Sequence, residues 1–203
     1  MADDTRYLCL DFVNTVSWRT RAQPTERLTS YADLVAWSQD AGVVTEHTAQ
    51  RLLEGATRHP ASAAAAFKRA IALREAIYRI FSAVAGGRAP ELADVATLND
   101  TLSETASRLQ LAWSAGGFAW DWAGDGDSLE PMLWPVARSA AELLTASESK
   151  RVGVCPGEGC GWLFFDTSKN RSRRWCAMED CGNRAKARRH YRRSRARNTN
   201  GAA

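Results

Sequence analysis

Along the first 149 positions apolar residues recur at spacings of three, four and seven, the pattern of helices with one buried face. The clearest run follows Pro60. It comprises Phe67, Ile71, Ile77, Ile80, Phe81 and Val84 with alanines between, and Gly86-Gly87 ends it. Ser30 precedes Tyr31, Leu34, Val35 and Trp37, and Asp33 three residues on completes a pattern that resembles a capping box. Gly42 closes that helix. Thr45 caps the next, which carries Leu52 and Leu53 before Gly55. Val95, Leu98, Leu102 and Leu109 predict a further amphipathic helix. Leu8, Leu10, Phe12, Val13, Val16 and Trp18 have no clean period and are read as helix.

The period then changes to two. Leu109, Leu111 and Trp113 alternate with polar or small residues, as do Phe118, Trp120 and Trp122, and Gly116-Gly117 lies between the runs. This is the signature of a β-hairpin. Asp125-Gly126-Asp127 reads as a loop. A last helix runs from about Leu129 to Ser147, with Leu133, Val136, Ala140, Leu143 and Leu144 inward; Pro131 fits its first turn, and Pro135 implies a late start or a kink. Trp113, Trp120, Trp122 and Trp134 are read as packing the hairpin onto the helices, with an aromatic ligand pocket as the other option.

Charge divides the chain. Residues 150–203 carry 14 Lys/Arg against 4 Asp/Glu, whereas residues 1–149 carry 13 against 19, within a net charge of +4. A step of this size near residue 150 marks an organisational boundary and makes the basic part the candidate partner of a polyanion. The domains read as 1–149, helical, and 150–203, small and basic. Hydrophobic content of 45% and charged content of 25% are those of an ordinary globular protein. No apolar run is long enough to span a membrane. The acidic start lacks a secretory pattern, so a cytoplasmic protein is expected.

Four of the five cysteines fall in the pattern Cys155-x4-Cys160-x15-Cys176-x4-Cys181. Two close pairs joined by a short loop supply the tetrahedral thiolate set that zinc prefers. A segment this short and this poor in apolar side chains needs a metal to hold it together. Pro156, Gly157, Gly159 and Gly161 permit tight turns, and Trp162, Leu163, Phe164 and Phe165 form an apolar strand beside the metal. One structural zinc is expected. Four sulfur ligands leave no open position for hydrolytic chemistry. Cys9 stands alone in an apolar setting and reads as a small buried hydrophobe.

From Gly182 to Arg197 there are eight Lys/Arg and no acid: Arg184, Lys186, Arg188, Arg189, Arg192, Arg193, Arg195 and Arg197. Alanines 185, 187 and 196 favour helix, although like charges at i,i+4 oppose it in water. Lys169, Arg171, Arg173 and Arg174 form a second basic cluster between the cysteine pairs. Together they suit phosphate tracking, with arginines able to read guanine in a major groove.

Cys181-Gly182-Asn183-Arg184 and the stretch from Cys155 to Cys176 resemble the CGNR zinc fingers. Leu10-Asp11-Phe12-Val13-Asn14-Thr15, followed by Arg19, resembles the start of the ABATE domain that usually precedes this finger. The resemblance implies a bacterial protein, a mostly helical N-terminal domain and a stress-induced transcription regulator. It also implies that Asp11, Asn14 and Arg19 line a pocket for a small-molecule effector; helix capping or an internal salt bridge is the other reading.

The fold class is thus mainly α: a helical N-terminal domain with a small β-hairpin, then a small C-terminal four-cysteine zinc-finger domain ending in a basic helix. The expected function is a DNA-binding transcription regulator, with double-stranded DNA as partner. The alternative is an RNA-binding zinc protein that stacks bases on Trp162, Trp175 and Tyr191. An enzyme is not expected: no Gly-rich phosphate loop or nucleophile elbow occurs, and His47 and His59 are isolated. No heptad or dimer face is legible, which leaves the oligomeric state open.

Overall fold

In a computed structural model, residues 7–114, 116–123 and 128–200 are described. The first six residues and the Asp125-Gly126-Asp127 loop lie outside them. The architecture is mainly α, as the periodicity predicts. The helices are α1 (Leu8–Val13), α2 (Tyr31–Asp40), α3 (Glu46–Arg58), α4 (Pro60–Ala85), α5 (Leu92–Arg108), α6 (Leu133–Thr145) and α7 (Asn183–Asn200). Three two-stranded antiparallel ribbons join them: β1 (Val16–Ser17) with β2 (Thr25–Glu26), β3 (Leu109–Ser114) with β4 (Gly117–Trp122), and β5 (Val152–Val154) with β6 (Leu163–Phe165). No helix among the described residues is long and apolar enough to cross a membrane.

The core forms around α4. Pro60 supplies its first turn, where a missing N–H costs nothing. Its inner face carries Ala63, Ala66, Ala70 and Ala76 between Leu73, Ile77, Ile80 and Phe81, all buried. The small side chains let α1, α2, α3, α5 and α6 approach closely. Ser30 and Thr45 cap α2 and α3 by accepting from the Asp33 and Thr48 backbone N–H groups. The Asp33 carboxylate reaches past the cap to the N–H and hydroxyl of Thr29. Cys9 is fully buried, and burial pushes its thiol up to about 12.

Four sequence expectations change. The first helix stops at Val13, where Asn14 turns away and the Thr15 hydroxyl takes the Phe12 carbonyl at 2.7 Å; Val16 is in a strand. The third helix continues through Gly55 to Arg58. Leu109 leaves the helical period and opens β3 opposite Trp122. The tryptophans divide. Trp134 is buried and Trp122 packs against it at 5.9 Å, but Trp113 and Trp120 are 73% and 57% exposed. The hairpin is seated by its base, and beyond it Arg138 of α6 lies over the Trp120 ring while Trp113 stays open. Pro135 sits in the first turn of α6, which makes the late start the correct reading.

The charge step near residue 150 is not a break in packing. Val152 and Leu163 belong to the same buried cluster as α4, with Val154 and Phe165 against it. The Trp162 indole donates to the Val16 carbonyl at 2.8 Å, and the Arg19 N–H donates to the Cys160 carbonyl at 3.0 Å. Beneath this joint Arg74, with a side chain only 3% exposed, donates to both carboxylate oxygens of Glu26, to Glu75 and to the Thr15 hydroxyl.

Candidate metal centre and basic surface

The β5–β6 ribbon delivers the first pair of cysteines. Its ladder continues one step beyond Val154, with the Cys155 N–H donating to the Trp162 carbonyl at 2.7 Å. The chain then turns tightly, and the Cys160 N–H donates to the Gly157 carbonyl at 2.8 Å. Gly157 is required by close approach: a Cβ there would lie 2.8 Å from the Cys181 sulfur. Gly159 has φ +77 and faces the Arg21 side chain so closely that a Cβ would overlap it.

The second pair comes from the far side. Cys176 follows the basic loop, and Cys181 sits in a π-helical turn, Met178–Gly182, that runs directly into α7. The four sulfurs all lie within 4.8 Å of one another. Cys160–Cys176 and Cys176–Cys181 are 3.6 and 3.7 Å apart. A tetrahedron with Zn–S bonds of about 2.3 Å has edges of about 3.8 Å, so the sulfurs match a zinc shell and are too far apart for disulfides. The chain has one structural zinc site: Cys155, Cys160, Cys176 and Cys181.

Thiol chemistry agrees. Burial opposes ionisation of Cys155, Cys160 and Cys176. Burial and the neighbouring sulfurs push Cys160 up to about 11 and Cys176 higher still, while hydrogen bonds to the Cys176 and Gly157 backbone and to the neighbouring thiols hold Cys155 below its ordinary value. Thiolate ligation requires these protons to leave, so zinc enters as they do.

Arginines secure this centre. The Arg173 guanidinium donates to the carbonyls of Phe165, Trp175 and Cys176. Arg184 donates to the Cys181 sulfur at 2.9 Å and lies 4.7 Å over the Trp18 ring, whose other contact is Arg21 at 3.5 Å. Trp18 itself has φ 57, an uncommon conformation for a side chain of that size. Asp166, buried, shapes the loop before Cys176. It accepts from the Ser168 N–H and hydroxyl and from the Arg173 N–H. Although burial opposes it, these bonds hold its carboxyl below the ordinary value. Its place between Phe165 and Thr167 gave no sign of this role; only the buried backbone donors around it do.

The remaining basic residues point outward. Lys169, Arg171 and Arg174 are exposed on the loop, and Arg171 takes φ 50 at its tip. On α7, Lys186, Arg189, Arg192 and Arg193 are exposed, and Arg188 forms an ion pair with Glu158. A groove of about 590 Å³ between the Pro156–Glu158 turn and α7 is lined by Arg188, Arg189, Arg192 and Arg193. Arg195 shares the helix; the side chain of Arg197 lies outside the described residues.

Asp11, Asn14 and Arg19 are not brought together. Asp11 and Asn14 line a cleft of about 450 Å³ with Asp33, Trp37, Asp40 and Trp162. The Asn14 amide is spent on Leu163, donating to its carbonyl at 2.8 Å and accepting from its N–H at 3.0 Å. Arg19 lies elsewhere, on both oxygens of Glu75, on the Val13 carbonyl and over the Tyr78 ring.

Comparison with known families matches residues 7–147 to the ABATE model, "Putative stress-induced transcription regulator", and residues 151–194 to the CGNR zinc finger. No curated protein matches the chain.

Proposed function

For a chain that belongs to the ABATE family and carries a CGNR zinc finger, we propose a cytoplasmic DNA-binding transcription regulator in which the zinc fixes the start of α7 and the exposed cations of α7 and the preceding loop contact the duplex. One observation carries this reading. The fourth zinc ligand, Cys181, is followed within two residues by a helix whose Lys186, Arg189, Arg192 and Arg193 are exposed and make no ion pair among the described residues. Phosphates relieve the mutual repulsion of such a helix, and arginines are suited to phosphate and guanine alike. Loop residues Lys169, Arg171 and Arg174 extend the same surface. Arg173 and Arg184 serve the metal centre, and Arg188 contacts DNA only after giving up Glu158.

The zinc has no catalytic part in this reading, because four thiolates leave no open position. The effector site, within the same proposal, is the cleft holding Asp11 and Asn14, where Trp162 of the zinc hairpin meets α2. The RNA alternative loses two stacking candidates. Trp162 is fixed to Val16 and Trp175 is packed beside the zinc, which leaves Tyr191 exposed.

Selection of duplex fragments by the purified zinc-loaded protein tests the reading. An enriched shared motif is expected. Indifference to duplex sequence together with tight binding of single-stranded RNA would overturn it in favour of the alternative.

A further inference from the structure

The β3–β4 hairpin presents one apolar face. The register pairs Leu109 with Trp122, Leu111 with Trp120 and Trp113 with Phe118, and alternation puts all six side chains on the same side. The inner row is covered, since Trp122 packs on Trp134. The outer two rows are mostly exposed, with Arg138 over the Trp120 ring: Leu111 is 60%, Trp113 73%, Phe118 72% and Trp120 57% exposed. Isolated exposed apolar residues need no explanation, but a contiguous block of three aromatics and a leucine marks an interaction surface. The metal centre and the basic helix make no use of it.

The chemistry of the face selects its partner. From Leu109 to Ala123 the only charged residue is Asp121. Nothing on the hairpin can neutralise a phosphate, and the nearby Arg108 and Arg138 lie over Trp134 and Trp120. A polyanion is therefore disfavoured: Asp121 pairs with Gln110 on the opposite face, and Arg138 is already paired with Glu142. We propose that the partner is a second copy of this chain, packed hairpin to hairpin about a two-fold axis. Such an isologous contact matches an uncharged apolar face to itself. With about 150–250 Å² for a whole aromatic side chain, the exposed rows offer roughly 500 Å² per copy. A face-to-face pair then buries up to about 1,000 Å², the lower end of the range for biological interfaces and the scale of a weak dimer. The surface is also set in advance, because Trp113 and Phe118 already meet edge to face at 4.9 Å. A two-stranded hairpin is marginal in water without a cover, and the second copy supplies one. This inference does not depend on DNA binding.

Sedimentation equilibrium of the full zinc-loaded chain at tens of micromolar is expected to give twice the 22.3 kDa chain mass. Phe118→Glu and Trp113→Glu are each expected to halve it, with helical circular dichroism and zinc content unchanged; Phe118→Leu should keep the dimer. Both positions are mostly exposed, so a folded monomer is the expected product. A wild-type protein that stays at the chain mass would overturn the proposal. So would a dimer indifferent to both glutamates, or a monomer that binds polyuridylate through Phe118.

Discussion

Asn14 and Leu163, 149 residues apart, are joined by a closed pair of hydrogen bonds: the side-chain amide donates to the Leu163 carbonyl at 2.8 Å and accepts from its N–H at 3.0 Å. The side chain acts as one more rung of β6, supplied by the end of α1. Removing it leaves two backbone groups unsatisfied beside a buried leucine. Asn14→Ala should cost about 1–3 kcal/mol, or roughly 3–10 °C in Tm for a chain of this length. Because β6 leads out of the first zinc turn, chelator-driven zinc loss should quicken as well. A lower Tm with unaltered zinc release would mean that the two halves respond separately, contrary to the shared core.

Arg184 and Arg189 differ by little in sequence, and the structure gives them different work. Arg184 donates to the Cys181 sulfur, so Arg184→Ala removes a donor that offsets thiolate charge. Outer-sphere losses of this kind typically weaken a metal site by about 10–100-fold. Competition with a zinc-binding dye should show it, and Arg184→Lys should recover part of the loss. Zinc affinity equal to wild type would remove Arg184 from the metal centre.

Arg189 is exposed and makes no ion pair among the described residues. If it neutralises one phosphate, Arg189→Ala should reduce the slope of log affinity against log salt by about one. Arg173→Ala should instead loosen the zinc loop, because that guanidinium holds three carbonyls around Cys176. Equal slope changes for the two variants would contradict this division.

Helix periods, caps and the four-cysteine spacing are local signals, and the sequence displays them directly. Ser30, Thr45, Pro60 and the existence of the hairpin needed no tertiary information, although its register did not follow from Gly116-Gly117, since Gly117 is the first residue of β4. The joint between the halves did need such information. Nothing local to Asn14 reveals a strand 149 residues away, and the family resemblance pointed to a ligand pocket instead. Likewise a run of arginines looks uniform in sequence. Only the positions of the Cys181 sulfur, of Glu158 and of the carbonyls near Cys176 separate Arg184, Arg188 and Arg173 from those left facing solvent. The exposure of Trp113 and Trp120 was hidden for a related reason: alternation fixes which side chains share a face, not whether another element covers it.

Acid should unfold the protein through the charge network under the zinc hairpin. Arg74 is almost fully buried and rests on Glu26 and Glu75, while Glu75 also holds Arg19. Burial opposes ionisation of both carboxylates, but the arginine hydrogen bonds and charges win and hold each below its ordinary value of 4.5. A carboxylate depressed in the folded state contributes stability that is fully present above its unfolded value and is lost as pH falls through its folded one. The Tm should therefore be flat in these two groups above about pH 5 and fall progressively below about pH 4.5. Glu75→Gln exchanges that dependence for a constant loss, since a neutral amide faces two guanidinium groups at every pH. With Glu75 partly open to water, the loss at neutral pH should be about 2 kcal/mol, or roughly 4–8 °C. The variant's acid limb should be shallower than that of the wild type. Thermal melts from neutral pH down to about pH 3, with zinc release followed alongside, decide the matter, and parallel acid limbs would show that other carboxylates or loss of the zinc govern acid unfolding.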